Sequence, residues 1–178
     1  MPGCGKSTVG RHLARQLALR FVDSDVEIEK RIGMPIRTFF ADQGEAAFRD
    51  VEQDVIEDLS HQPGQVLATG GGAVLRPSNR DALHSRTHVF YLRSTPEELG
   101  RRLRHDTHRP LLQVADPQAR LRELFRERDP LYRRTAHFVV EAARPSVQAL
   151  TGMVLMQLEL AGLVDAGQVP SHIGHGPG

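Results

Sequence analysis

The run Gly3-Cys4-Gly5-Lys6-Ser7-Thr8, standing at the head of a helical stretch, constrains this chain more than any other feature. Glycines let a backbone turn through positive φ and bring its N–H groups close to an anion without side-chain obstruction. From Lys6 to Leu19, Val9, Leu13 and Leu17 recur at i+4 spacing and give one apolar stripe. A glycine-rich loop that opens a helix is the second half of the phosphate-binding loop pattern, in which loop amides and the helix N-terminus converge on phosphate oxygens. The pattern marks Gly3, Cys4, Gly5, Lys6, Ser7 and Thr8 as the candidate nucleotide-phosphate site. Lys6 would bridge the β- and γ-phosphates and the Ser7 hydroxyl would bind Mg²⁺. The plain alternative is a chance Gly-Lys-Ser at a helix start, and the rest of the chain decides against it.

The full pattern needs an earlier glycine and an apolar strand ahead of it, and Met1-Pro2 leaves room for neither. In doubly wound sheets that strand is central, so its neighbours would each lose a ladder of hydrogen bonds. The expectation is that the natural start lies upstream. If the short form is genuine, low stability and weak nucleotide binding are expected.

Apolar residues make up 39% and charged residues 25% of the 178 residues, which suits one domain with a real core. That domain is expected over 1–165, with a disordered tail over 166–178. Lys plus Arg number 23 against 22 Asp plus Glu, so no bulk field argues for nucleic acid or a membrane surface. The single cysteine excludes an internal disulfide framework, and Cys4, without a resolving partner, argues weakly for redox control. No apolar run is long enough to span a bilayer and no secretory signal is visible, so cytoplasm is the default.

Along the chain, helical periodicity alternates with short apolar runs, the pattern of an α/β domain on a parallel sheet. Strands are expected at Phe21-Val22, Val66 to Thr69, His88 to Leu92 and Phe138 to Val140. Helices are expected over Val26 to Ile32, Glu45 to His61, Ala119 to Arg128 and Val147 to Leu160. Thr95-Pro96-Glu97-Glu98 sets an N-cap, a first-turn proline and a capping-box glutamate in order, so another helix should run to about Arg104. Phe48, Val51, Val55 and Leu59 share one face and read as core rather than as a partner surface. His105 to Gln118 is polar, holds two prolines and suits a mobile loop.

Substrate identity must come from outside the phosphate loop. Asp23-Ser24-Asp25 follows a strand, so both carboxylates should lie at the carboxyl edge of the sheet. There they could divide metal and proton-accepting duties, or act merely as helix caps. Gly70-Gly71-Gly72 after a buried strand offers backbone N–H groups at the same edge. Arg49 beside Phe48, and Arg128 before Asp129-Pro130-Leu131-Tyr132, could each be an anion clamp or a solvated arginine.

Taken together, the phosphate loop, Asp-Ser-Asp, Phe48-Arg49, Gly-Gly-Gly-Ala, Arg109-Pro110-Leu111-Leu112 and Arg128-Asp129-Pro130-Leu131-Tyr132 resemble the ordered motif set of the shikimate kinase family, from about Pro2 to Val140. The resemblance implies a P-loop α/β/α three-layer fold of the nucleoside-monophosphate-kinase type with a central parallel sheet, whose first central strand is absent from this sequence. It implies transfer of the ATP γ-phosphoryl group to the 3-hydroxyl of shikimate, with Mg²⁺ as cofactor. By carry-over, Asp25 contacts the shikimate hydroxyls and is the candidate base, while Asp23 with Ser7 supports the metal. Arg49 and Arg128 clamp the shikimate carboxylate, and the Gly70-Gly71-Gly72 turn meets the substrate through the Gly71 amide. The segment at about 105–118 becomes a lid whose Arg109 reaches the ATP phosphates. Arg144 lies near the family's adenine-side arginine, in a pattern too loose to assign. Family members are usually monomers.

Two other readings remain open on the residues. One is a different small P-loop kinase, acting on gluconate or a nucleoside monophosphate. The other is a catalytically impaired shikimate-binding protein. Nine histidines invite a metal reading, but neither His84 with His88 nor His105 with His108 should share one rigid face, so no zinc site is expected.

Overall fold

The computed structural model describes residues 1, 3–103, 114–142 and 146–165. Helix α1 (Lys6–Gln16) leads to β1 (Arg20–Asp23), α2 (Ser24–Ile32), α3 (Ile36–Ser60) and β2 (Gln65–Ala68). A 3-10 turn (Ala73–Leu75) and α4 (Pro77–Arg86) connect β2 to β3 (Phe90–Arg93). Then come α5 (Pro96–Leu103), α6 (Pro117–Thr135), β4 (Phe138–Glu141) and α7 (Val147–Leu160).

The strands form two parallel pairs, β1 with β2 and β3 with β4. In the first pair Val22 lies opposite Leu67, and in the second Leu92 lies opposite Val140. The free edges of β2 and β3 find no strand partner among the described residues. Both border an apolar slot of about 440 Å³, walled by Leu13 of α1, Leu17 just past its end, and Val154 and Leu158 of α7. This slot also reaches Lys6.

Burial follows the helical stripes. Val9 and Leu13 of α1 join Leu150, Val154 and Leu158 of α7 in the larger core, with Tyr91, Leu92 and Val140 from the strands. A second core gathers Val22, Ile28, Phe48, Val55 and Leu59, with Val51 packed against it, so the α3 stripe does face inward. Phe40 and Phe48 meet there with ring centroids 4.5 Å apart.

Several boundaries differ from the sequence expectation. Helix α2 starts at Ser24, two residues early, because the Asp23 carboxylate caps it by accepting from the Asp25 amide at 3.1 Å. Helix α3 starts at Ile36 rather than Glu45; Gly44 (φ 82°, ψ 174°) breaks its regularity midway and hides the first half from a periodicity count. Helix α4, short and weakly patterned, was not expected at all. Helix α6 begins at Pro117, inside the segment read as a mobile loop, with Asp116 accepting from the Ala119 amide at 2.9 Å. It also runs on through Pro130 to Thr135, past the expected end at Arg128. The capping box at α5 is as expected: the Thr95 amide donates to Glu98 Oε2 at 2.9 Å, and the Glu98 amide donates to Thr95 Oγ1 at 3.3 Å.

Candidate active site

Gly5 caps α1 in the left-handed region (φ 85°). The first helical hydrogen bond runs from the Val9 amide to the Gly5 carbonyl, which leaves the amides of Lys6, Ser7 and Thr8 without intrahelical acceptors. Those free amides and the positive end of the helix dipole make an anion site. Lys6 Nζ folds over the same loop, donating to the Met1 carbonyl at 3.0 Å. Cys4 is buried beneath it, with Sγ 3.1 Å from that carbonyl and 3.7 Å from Lys6 Nζ. Burial alone would push the Cys4 thiol up, but the neighbouring Lys6 ammonium brings it below the usual thiol range.

Gly3 and Gly5 border two clefts. One, of about 400 Å³, brings together Lys6, Ser7, Asp23, Asp25, Arg49 and Arg128 with the Gly70-Gly71-Gly72 turn. The other, of about 650 Å³, runs between α5 and α7 past Arg101, Arg102 and Val147. The phosphate loop therefore stands between an acceptor-sized cleft and a second cleft suited to the rest of a nucleotide. Arg109 and Arg144 lie outside the described residues.

In the first cleft Ser7 Oγ donates to Asp23 Oδ2 at 2.9 Å. Asp23 thus caps α2 with one oxygen and reaches α1 with the other, so the capping role weighed from sequence and the site role coexist. Ser24, fully buried, accepts from the Gly70 amide at 3.1 Å and ties the glycine turn to α2. A methyl group on Gly70 would meet Asp25 Oδ1 at 2.7 Å and Glu52 Oε1 at 3.3 Å, so only glycine admits both carboxylates there. Asp25 is raised to about 6, first by burial and then by the charges of Asp23 and Glu52, with Lys6 opposing.

Glu52 is the residue the sequence reading missed. It is 1% exposed, lies one helical turn from Arg49 and accepts from Arg49 Nη1 at 2.6 Å. Glu45, one turn earlier, accepts from Arg49 Nη2 at 3.0 Å. Two carboxylates on one helix face therefore aim the guanidinium into the cleft, and the i−4, i, i+3 spacing was the available signal. Burial pushes the Glu52 carboxyl up, against the pull of Arg49.

Arg128, 6% exposed, enters from α6 and donates from Nη1 to the Gly71 carbonyl at 3.1 Å. Its buried Nε has no hydrogen-bond partner, a cost that a bound anion would relieve. Arg49 and Arg128, far apart in sequence, thus face one cleft. Away from it, His84 stacks on His137 at 4.3 Å and His88 meets His137 edge-on at 6.0 Å.

A single cleft that can hold polyphosphate at one end and an anionic acceptor at the other makes this chain a small P-loop kinase. The family model described as shikimate kinase matches residues 2–159. The chain belongs to the shikimate kinase family. It is 60% identical over 166 residues to a shikimate kinase of Paracidovorax citrulli, covering 92% of this chain and 91% of that protein. A shikimate kinase of Burkholderia pseudomallei is 56% identical over 162 residues, covering 91% of this chain and 88% of that protein. Among solved structures, the shikimate kinase of Acinetobacter baumannii in complex with shikimate matches with a TM-score of 0.84 and 44% identity, covering 90% of this chain and 89% of that one. The Aquifex aeolicus shikimate kinase matches with a TM-score of 0.80 and 32% identity, covering 92% and 95%. These neighbours place the two parallel strand pairs within the P-loop kinase fold. No described helix is long and apolar enough to cross a membrane.

Proposed function

We propose that this kinase transfers the γ-phosphoryl group of ATP to the 3-hydroxyl of shikimate, giving shikimate 3-phosphate and ADP. The carrying observation is the buried Arg128 Nε, which makes no hydrogen bond, in the cleft shared by Arg49, Asp25 and the phosphate loop.

Arg49 and Arg128 hold the shikimate carboxylate in charge-assisted hydrogen bonds, and two guanidinium forks fix an anionic ring in one orientation. Asp25 accepts the proton of the attacking hydroxyl. Raised to about 6, it is a stronger base than an ordinary carboxylate yet still ionised at neutral pH. As that proton leaves, the hydroxyl oxygen bonds to the γ-phosphorus and the bond from phosphorus to the β–γ bridging oxygen breaks, releasing ADP. Lys6 and the free loop amides hold the β- and γ-phosphates and stabilise the charge on the transferring group. The adjacent Ser7 hydroxyl and Asp23 carboxylate are the hard oxygen donors that Mg²⁺ prefers, and the ion when bound there would neutralise phosphate charge. The adenosine moiety occupies the cleft between α5 and α7. To Arg109 falls the role of adding positive charge at the phosphates and helping to exclude water. The enzyme works as a monomer in the cytoplasm, on shikimate and ATP alone.

The test is ADP release with shikimate, gluconate or a nucleoside monophosphate as the acceptor. Release that depends on shikimate supports the reading. Release with gluconate or a nucleoside monophosphate but not with shikimate would refute it. Calorimetric binding of shikimate without any ADP release would identify a binding protein instead.

A further inference from the structure

Tyr132 is not among the site residues expected from the sequence, yet it holds the glycine turn. Its hydroxyl donates to the Gly71 carbonyl at 2.6 Å and accepts from the Met1 amine at 3.1 Å. The ring is buried and stacked on Tyr91 at 4.8 Å between centroids. Tyr91 is itself fixed, donating to Asp129 Oδ1 at 2.9 Å, and Asp129 also accepts from Arg93 Nε at 3.0 Å. The phenol is thus held between α6 and β3 and has little freedom to follow a moving turn.

The turn is anchored through its carbonyls while its amides stay open. The Gly70 carbonyl accepts from the Ala73 amide at 3.2 Å, and the Gly71 carbonyl accepts from both Tyr132 and Arg128. The amides of Gly71 and Gly72 have no hydrogen-bond partner among the described residues. No cis peptide occurs there, and in a trans peptide the C=O and the following N–H point in opposite directions. Fastening the Gly71 carbonyl to α6 therefore aims the Gly72 N–H away from α6. Gly72 borders the acceptor cleft, and Arg49 covers its Cα so closely that a methyl group there would have to displace the guanidinium.

We propose that Tyr132 is a positioning residue for the acceptor: by holding the Gly71 carbonyl it presents the Gly72 N–H, beside Arg49, to an oxygen of the bound acid. Arg128 shares the carbonyl but is also the ligand clamp, so its guanidinium must answer to the acceptor. Tyr132 has no such second duty. Burial pushes its hydroxyl well above the usual phenol range, so it remains a donor at every working pH.

This inference rests on the shikimate reading above, and the experiment separates the two. The full chain, labelled with ¹⁵N-glycine, is titrated with shikimate, and steady-state kinetics are measured for wild type, Tyr132→Phe and Tyr91→Phe. Tyr132→Phe keeps the ring stack and deletes only the hydroxyl. Its KM for shikimate should rise about three- to tenfold, the loss of one neutral hydrogen bond, with kcat and the KM for ATP unchanged. The shikimate-induced shift of the Gly72 amide should shrink in that variant. Tyr91→Phe, which loses a hydroxyl from the same stack without touching Gly71, should keep both values. Unmoved Gly33 and Gly64 signals show that the fold is intact.

A wild-type KM and an unchanged Gly72 shift in Tyr132→Phe would overturn the inference alone. Should that variant not fold, the wild-type titration still decides: turnover of shikimate without any shift at Gly72 overturns it. Wild type showing no shikimate-dependent turnover would sink the acceptor reading and the inference together.

Discussion

Neutralising Asp25 should make the protein more stable while removing its activity. Its carboxyl is raised from 3.8 to about 6 by burial, by Asp23 and by Glu52. About two pKa units correspond to ~3 kcal/mol at full strength. The residue nonetheless opens onto cleft water, and solvent screening reduces this to about 1 to 1.5 kcal/mol. A carboxyl whose folded pKa is raised lends its stability in full below the unfolded value of 3.8 and loses it as pH climbs through about 6. Asp25→Asn never ionises and escapes that loss. At pH 7.5 its melting temperature should exceed wild type by about 2 to 6 °C, and the gap should close toward pH 4.

Thermal melts of both proteins between pH 4 and 7.5 test this, because titrating groups remote from Asp25 cancel in the difference. The same variant should lose about 10²- to 10⁴-fold in kcat, the contribution of a positioned base. In wild type, kcat/KM for shikimate should rise with pH through about 6, as Asp25 gives up its proton. A less stable Asn variant at pH 7.5, or a gap that does not change with pH, would refute the account of a strained carboxylate.

Arg128→Ala should raise the KM for shikimate by about 10- to 100-fold, the worth of a charge-assisted hydrogen bond, and leave ATP binding within about twofold; equal losses for both ligands count against the clamp. Lys6→Ala should abolish phosphoryl transfer with the fold retained by circular dichroism, since among the described residues Nζ hydrogen-bonds only to the loop's Met1 carbonyl and Cys4 thiol. Gly72→Ala sets a methyl against the Arg49 guanidinium, so shikimate affinity should fall while the melting temperature moves little. Calorimetry with shikimate and with an ATP analogue reads the last effect, and unchanged shikimate affinity would show that Arg49 yields freely.

What was legible in the sequence was what is local in the fold. The phosphate loop and its helix, the Thr95 to Glu98 box and the α3 stripe each depend on residues a few positions apart. Their geometry therefore follows from spacing alone. Helix α6 was cut short because Pro130 lacks an N–H, whereas packing of Leu124 and Tyr132 into the core carries the helix through it. The first half of α3 was lost because Gly44 resets the period. Apart from its spacing to Arg49, nothing in the sequence separates Glu52 from a helix-surface carboxylate. Only the fold shows that it is buried beneath Gly70 and beside Asp25. Arg128 and Tyr132 meet the Gly71 carbonyl across 57 and 61 residues, a separation that no local pattern encodes.

The charges in the acceptor cleft are arranged for a ligand rather than for the free protein. Asp25, Asp23 and Glu52 crowd like charges together, and the Arg128 Nε is buried without an acceptor. Each costs stability, and none is needed to close the core, which the apolar stripes of α1, α3 and α7 already do. An anionic ring bearing hydroxyls relieves both. Its carboxylate supplies the acceptor that Arg128 lacks, and its hydroxyls donate to the carboxylates that repel one another. A neutral polyol of the same size would satisfy only the second need. Selectivity for a ring acid over an uncharged sugar is expected from the Arg128 Nε, which has no hydrogen bond, because a buried donor left unsatisfied by the wrong ligand penalises that ligand.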